Sequence, residues 1–118
     1  MSELVHATQA MIEQASGQPM RRSTRAVAVI EGERLLGVAG IYRDGERFVM
    51  FANTLEPMKD HKRIVVRAYR TLFTWCRARG LPVVAAACPA IAGSEILLEH
   101  LGFRHVPPHD LYVWTPNG

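Results

Sequence analysis

The chain has 118 residues, enough for one domain and too few for two. Its composition, 48% hydrophobic and 21% charged with a net charge of +3, excludes a disordered tail, a collagen-like repeat and a coiled coil. No apolar run approaches the roughly 18 to 20 residues that cross a bilayer, and residues 1–14 lack the basic start and apolar stretch of a signal peptide. We therefore expect one domain over residues 1–118, cytoplasmic and without membrane contact.

The N-terminal segment favours a helix. Residues 2–15 carry apolar side chains at roughly helical spacing, Ser2 is a suitable N-cap, and Gly17 followed by Pro19 is a typical helix end. Residues 1–22 are thus predicted to form an N-terminal helix and a basic connector.

Three strands are predicted next. Residues 26–30 form an unbroken apolar run, and residues 34–42 are mostly apolar. An Asp44-Gly45 turn of the kind that joins hairpin strands leads into a third strand, from Arg47 to about Leu55. Three successive antiparallel strands follow from this pattern.

The most periodic segment of the chain predicts an amphipathic helix of about 17 residues that ends at Gly80. Its apolar residues fall on one half of a helical wheel, and its arginines fall on the other. Residues 59–79 contain seven bases and one acid, a net charge of +6, whereas the rest of the chain carries −3. This polarity fits a phosphate-bearing cofactor, nucleic acid or an acidic protein surface as partner, and a solvated helix face explains it equally well.

The C-terminal part continues with alternating elements. An apolar strand is predicted over residues 83–88, a helix over Ser94 to Leu101, and short strands over residues 103–106 and 111–114.

The complete order predicts an α+β fold with a mixed sheet and a core over residues 26–114. A right-handed parallel crossover joins strand, helix and strand across residues 47–88.

The cysteines and histidines do not have metal-ligand spacing. Cys76 and Cys88 are predicted to lie in a helix and a strand, as buried thiols of a reducing compartment. His105 and His109 flank two prolines without carboxylates in a recognisable cluster, so no metal site is predicted.

This element order, together with the string TWCRARGLPVVAAACPAIAGSEILLEHLGF, resembles the GNAT superfamily of acyl-CoA-dependent N-acyltransferases over roughly residues 26–114. The best local marker is the segment from Glu99 to Phe103, which is similar to the helix end before the family's penultimate strand. The resemblance implies a mostly antiparallel central sheet with helices on both faces. It also implies transfer of an acetyl group from acetyl-CoA to an amine of a small molecule or a protein.

The resemblance further implies that the cofactor's diphosphate binds backbone N–H groups at the start of the long helix. The family's pattern of small residues falls on residues 60–65, where Arg63 and Val65 stand in place of glycine and Asp60 opens the motif. Basic side chains are then expected to take over part of the phosphate binding. The implied cofactor-binding residues are Lys59, His61, Lys62, Arg63, Ile64 and Val65.

Catalysis in this family uses a strand-borne carboxylate or ordered water as base, and often a tyrosine as acid, at a position that falls on Leu98. The resemblance leaves Glu56 as the candidate base, and His100, Tyr112 and Cys88 as candidate acids. Each also has a plain structural interpretation: Glu56 as a loop carboxylate, His100 as an exposed helix residue, Tyr112 as a packing residue and Cys88 as a core thiol.

Three functions are consistent with the sequence. The first is an N-acetyltransferase. The second is a catalytically degenerate GNAT-like structural or interaction protein, because short proteins of this type occur in bacteriophages; it would be located in a virion, as a homodimer or with other virion proteins. The third is nucleic-acid binding through the arginine face of the long helix, which ranks lowest because the face has no interleaved aromatic residues.

Overall fold

A computed structural model of the chain describes residues 2–17, 24–55, 61–86, 94–106 and 111–115. The helices are α1 (Gln9–Ser16), α2 (Lys62–Arg79) and α3 (Ser94–His100). The strands are β1 (Ser2–His6), β2 (Arg25–Glu31), β3 (Arg34–Asp44), β4 (Arg47–Thr54), β5 (Val83–Ala86), β6 (Arg104–Val106) and β7 (Leu111–Trp114).

The strands form one sheet in the order β1-β2-β3-β4-β5-β7-β6. β1 to β4 are antiparallel neighbours, and β5 is parallel to β4. The helix α2 connects these two parallel strands, so the predicted mixed sheet and crossover are confirmed. Residues 87 and 88, the predicted end of the fifth strand, lie outside the described residues.

The predicted N-terminal helix is wrong over its first residues. Ser2–His6 form β1, in which Leu4 pairs with Val29 of β2. The helix begins only after Thr8, whose hydroxyl accepts a hydrogen bond from the Met11 N–H at 3.2 Å. A short helix is marginal by itself, whereas the same residues complete a backbone ladder along β2.

Helices cover both faces of the sheet, as predicted. The face under α2 carries the larger apolar cluster, to which Leu98 of α3 also belongs. Its most deeply buried large side chains are Leu36, Leu72, Cys76, Val83 and Leu98. The opposite face carries a smaller cluster of Ala28, Leu35 and Val38, against which Met11 and Ala15 of α1 pack.

The long helix α2 follows the predicted amphipathic pattern. Most of its apolar residues are buried, and Arg63, Arg67, Arg70 and Arg77 are exposed. Gly80 ends it in the left-handed conformation, with φ of 66°, and its N–H bonds to the Cys76 and Arg77 carbonyls. None of the helices within the described ranges is long and apolar enough to cross a membrane.

Cys76 is fully buried in the α2 core, as predicted, while Cys88 lies outside the described residues. Desolvation by burial raises the pKa of the Cys76 thiol from 9.0 to about 12. The thiol therefore stays protonated and unreactive at neutral pH.

Replacing Cys76 by Ala is expected to make the free energy of unfolding fall less steeply as the pH rises above 9. The pKa of the Cys76 thiol is higher in the folded protein than in the unfolded chain. The contribution of the protonated thiol to the free energy of unfolding is therefore complete below pH 9 and is lost as the pH rises towards 12. Between these pH values the thiol lowers the free energy of unfolding by up to about 1.4 kcal/mol per pH unit. Urea unfolding of both proteins at several pH values between 8 and about 11 measures the difference in slope. Parallel curves for the two proteins would contradict this pKa.

Candidate functional site

The parallel strands β4 and β5 separate part of the way along the sheet. Their ladder runs from Phe48 opposite Val83 to Met50 opposite Ala85, and the next residues, Phe51 and Ala86, are no longer partners. Beyond this point β4 remains paired with β3 on its other side, up to Thr54. The β5-facing edge of residues 51–54 therefore borders an opening in the sheet.

This opening is a cleft of about 450 Å³. One wall is formed by β4 and the other by β5, with Leu111 of β7 at the rim. The lining residues are Val49, Met50, Phe51, Ala52, Asn53, Thr54, Val84, Ala85, Ala86 and Leu111. A mainly apolar cleft of this size, with a few polar groups, is typical of a small-molecule or cofactor site.

The start of α2 has the electrostatic character of an anion site. His61 occupies the N-cap position but makes no capping hydrogen bond to the described residues; its Nδ1 lies 3.3 Å from the Ser2 hydroxyl. The first helical turn contains no acidic residue, and Lys62 and Arg63 are exposed there. The first backbone N–H groups and the two side chains therefore sum to a positive potential.

The start of α2 lies close to the cleft. Val65 lines a cavity of about 20 Å³ together with Ala52 and Thr54, which also line the cleft. The hydroxyl oxygen of Thr54 is buried there without a hydrogen-bond partner among the described residues. The second turn of the helix therefore packs against the end of β4, and the basic helix start and the cleft form one region.

Ile64 and Val65, two of the residues predicted to bind the cofactor, have their side chains in the core. They are 6% and 7% exposed and belong to the cluster beneath α2. Their side chains are therefore not available for contact with an anion. The side chain of Val65 packs against the sheet. Although Val65 stands where the family pattern has a small residue, its side chain is therefore accommodated in the core.

Neither His100 nor Tyr112, the two predicted catalytic residues within the described ranges, lines the cleft. Glu56, like Lys59 of the predicted phosphate site, lies outside the described residues. His100 is exposed at the end of α3. Tyr112 is 7% exposed on β7, where it pairs with Ala85 of the cleft wall and lies 5.1 Å from the ring of His105.

Leu98 occupies the position of the family's tyrosine and is a core residue here. It is 1% exposed in the cluster beneath α2, and its hydrocarbon side chain has no proton to transfer. None of the ten residues that line the cleft was among the predicted site residues. The polar pair Asn53-Thr54, directly after an apolar strand, is the sequence signal that points to this edge of β4.

No protein-family model and no curated protein matches the sequence. Solved structures do match the fold. An acetyltransferase of the GNAT family from Staphylococcus aureus Mu50 superposes with a TM-score of 0.69 at 8% identity, over 98% of this chain and 99% of that one.

Two further structures agree over most of their length. An acetyltransferase from Streptococcus agalactiae 2603 has a TM-score of 0.67 and 14% identity, covering 97% of this chain and 98% of that one. The ribosomal-protein-S18-alanine N-acetyltransferase from Escherichia coli has a TM-score of 0.64 and 12% identity, covering 96% and 91%. At such low identities the likeness is one of fold.

Proposed function

We propose that this chain, whose fold is that of the GNAT acetyltransferases, is an acyl-CoA-dependent N-acetyltransferase that acts on an amine. The observation that carries the proposal is the cleft between β4 and β5, which opens beside a basic helix start. The acceptor is an amine of a small molecule or of a protein. The basic helix start suits the anionic end of acetyl-CoA, and the cleft suits its amide-bearing arm.

The anionic end of acetyl-CoA fits the start of α2. A diphosphate accepts hydrogen bonds from the free N–H groups of a first helical turn, where the helix dipole favours negative charge. Lys62 and Arg63 are exposed at this turn and add two positive charges. In this chain side-chain cations supplement the backbone, which compensates for the glycine that Arg63 replaces.

The amide-bearing arm of acetyl-CoA fits the cleft. Residues 51–54 border the opening with the edge of β4 that no longer pairs with β5, and an extended chain with amide groups can hydrogen-bond to such an edge. The apolar walls exclude water from the reacting end. When bound, acetyl-CoA supplies the acetyl group as a thioester.

Proton transfer is assigned to three side chains. Glu56 follows the exposed Leu55 directly in sequence and serves as the base that takes a proton from the amine. Tyr112, which pairs with the cleft residue Ala85, and His100 are the alternative acids for the departing thiolate. Leu98 cannot take part, because its hydrocarbon side chain has no ionisable group.

The proposal is tested by calorimetric titration with acetyl-CoA and CoA at physiological salt. Replacing Ala86, an exposed residue of the cleft wall, by Trp is expected to weaken binding by about tenfold or more, because the indole fills the cleft. The matched control is Ala78→Trp on the exposed face of α2, which is expected to bind like the parent.

A second arm of the same titration examines the helix start. The double replacement of Lys62 and Arg63 by Ala is expected to weaken binding of acetyl-CoA and of CoA. The loss of affinity relative to the parent is expected to be larger at low salt than at physiological salt, because salt screens the two charges. Saturable binding that is equally strong in the Ala86→Trp and Ala78→Trp variants would contradict the cleft as cofactor site. The absence of any binding would contradict the proposed function.

One observation favours a second candidate, a GNAT-like structural or interaction protein without catalysis. Leu98 packs in the core at the position where the family pattern places a tyrosine. In this alternative the chain assembles with itself or with virion proteins. Binding of acetyl-CoA without acetylation of any amine in a panel of small molecules and peptides would favour it.

A further inference from the structure

A second cavity lies on the α2 side of the sheet, near the start of β4 and away from the cleft at its end. Its volume is about 310 Å³. It is bordered by the start of β2, the end of β3 and the last turns of α2. The apolar residues that line it are Ile41, Phe48 and Trp75.

Three arginines from three different elements surround this cavity: Arg25, Arg43 and Arg79. Arg25 pairs with Ile41 of β3, and Arg43 lies two residues further along the same strand face. Arg79 is the last residue of α2. Three arginines that are up to 54 positions apart in the sequence thus line one cavity.

Two of the three arginines contact neutral groups. The Nε of Arg43 donates to the Gly45 carbonyl at 3.0 Å, and the Arg25 guanidinium lies 5.6 Å from the centre of the Trp75 ring. Asp44, beside Arg43 in sequence, bonds to Arg47 at 3.2 Å. None of the described residues that line the cavity is acidic.

The shape and chemistry of the lining select a class of ligand. An apolar floor with convergent polar groups at the rim is typical of small-molecule sites, and the volume is at the lower end of their range. Several guanidinium groups match the double charge and the oxygen atoms of a phosphate monoester better than the single charge of a carboxylate. The Gly80 N–H bonds to the Cys76 and Arg77 carbonyls, which reduces the negative character of the helix end.

We propose that this cavity binds a small organic phosphate, with the phosphate between Arg25, Arg43 and Arg79 and an apolar or aromatic body on the floor beside Trp75. The site is separate from the cleft between β4 and β5. It therefore does not depend on the proposed acetyltransferase function.

The proposal is tested by titrating the protein with phenyl phosphate at physiological salt, using calorimetry and amide chemical shifts. Saturable binding with shifts at the cavity residues is expected. Replacing Arg43 and Arg79 together by Gln is expected to weaken it by about tenfold or more. The matched control, Arg67→Gln with Arg70→Gln on the exposed face of α2, removes the same charge and is expected to change affinity less than about twofold.

Two further probes define the ligand class. Benzoate and inorganic phosphate are each expected to bind more weakly than phenyl phosphate, because each lacks one half of the ligand. Because Arg79 is exposed, Arg79→Gln alone provides a folded variant if the double replacement does not fold.

Three outcomes would overturn the proposal: no saturable binding of phenyl phosphate, an equal loss in the control variant, or benzoate binding as tightly as phenyl phosphate. The Ala86→Trp variant is expected to bind phenyl phosphate normally. A failure of the acetyl-CoA site is thereby distinguished from a failure of this one.

Discussion

Replacing Leu72 by Ala is expected to lower the free energy of unfolding by about 3 to 5 kcal/mol. Leu72 is 0% exposed near the middle of α2 and packs in the larger core cluster with Leu36 and Met50. Truncation removes apolar contacts and leaves a cavity that close-packed neighbours fill only partly. The loss is a large fraction of the roughly 5 to 15 kcal/mol typical of a folded domain. Urea or guanidinium unfolding measures it.

The neighbouring exposed position provides the control. Arg70 lies on the solvent side of the same helix. Its replacement by Ala is expected to change the free energy of unfolding by less than about 0.5 kcal/mol. If Leu72→Ala costs no more than Arg70→Ala, the packing of α2 against the sheet is not as described.

The second large effect is expected at Gly40 of β3. A Cβ atom there would lie 2.6 Å from Cζ of Phe51, 2.8 Å from Cβ of Ala26 and 2.8 Å from the Arg25 carbonyl oxygen. The Phe51 ring can turn away, but the backbone oxygen and the Ala26 methyl group belong to the paired strand β2. Gly40→Ala is therefore expected to destabilise the protein by about 1 to 3 kcal/mol, measured by chemical unfolding.

A double-mutant cycle identifies the cause of this destabilisation. Ala26 lies directly opposite Gly40 in the ladder between β2 and β3. In a background of Ala26→Gly, one of the close contacts is absent, so Gly40→Ala is expected to cost less than in the parent. Additive effects of the two replacements would rule out the Ala26 methyl group as a source of the steric conflict.

The sequence was most informative where local signals agreed. The helix α2 combines strong apolar periodicity with an ending at Gly80, and the structure confirms both. The hairpin of β3 and β4 was predicted from the Asp44-Gly45 turn, where Gly45 has a φ of 63°. Both features depend on residues that are close in sequence, so the local sequence is sufficient to predict them.

The sequence was less informative where pairing with a distant segment decides the structure. The residues Leu4 and Val5 fit a helix or a strand, and only the ladder with β2 decides between them. Thr8, whose hydroxyl caps α1, was the local signal that could have placed the helix start correctly.

The candidate site was predictable in part. Exposed bases at the start of α2 follow from the helical pattern, and Lys62 and Arg63 are exposed there. The burial of Val65 follows from the same wheel, but its position against Thr54 does not. The cleft requires that β4 and β5 be parallel and that their ladder stop after Met50 and Ala85, which is a relation between distant strands.

The position of β7 between β5 and β6 bears on the order in which the protein takes shape during synthesis. β7 follows both neighbours in the chain, so β5 lacks its second neighbour until residues 111–114 have left the ribosome. The antiparallel strands β1 to β4 each pair with the next strand in the sequence, so they are able to pair earlier. The wall formed by β5 is therefore completed last, and until then its open edge can pair with a strand of another nascent chain.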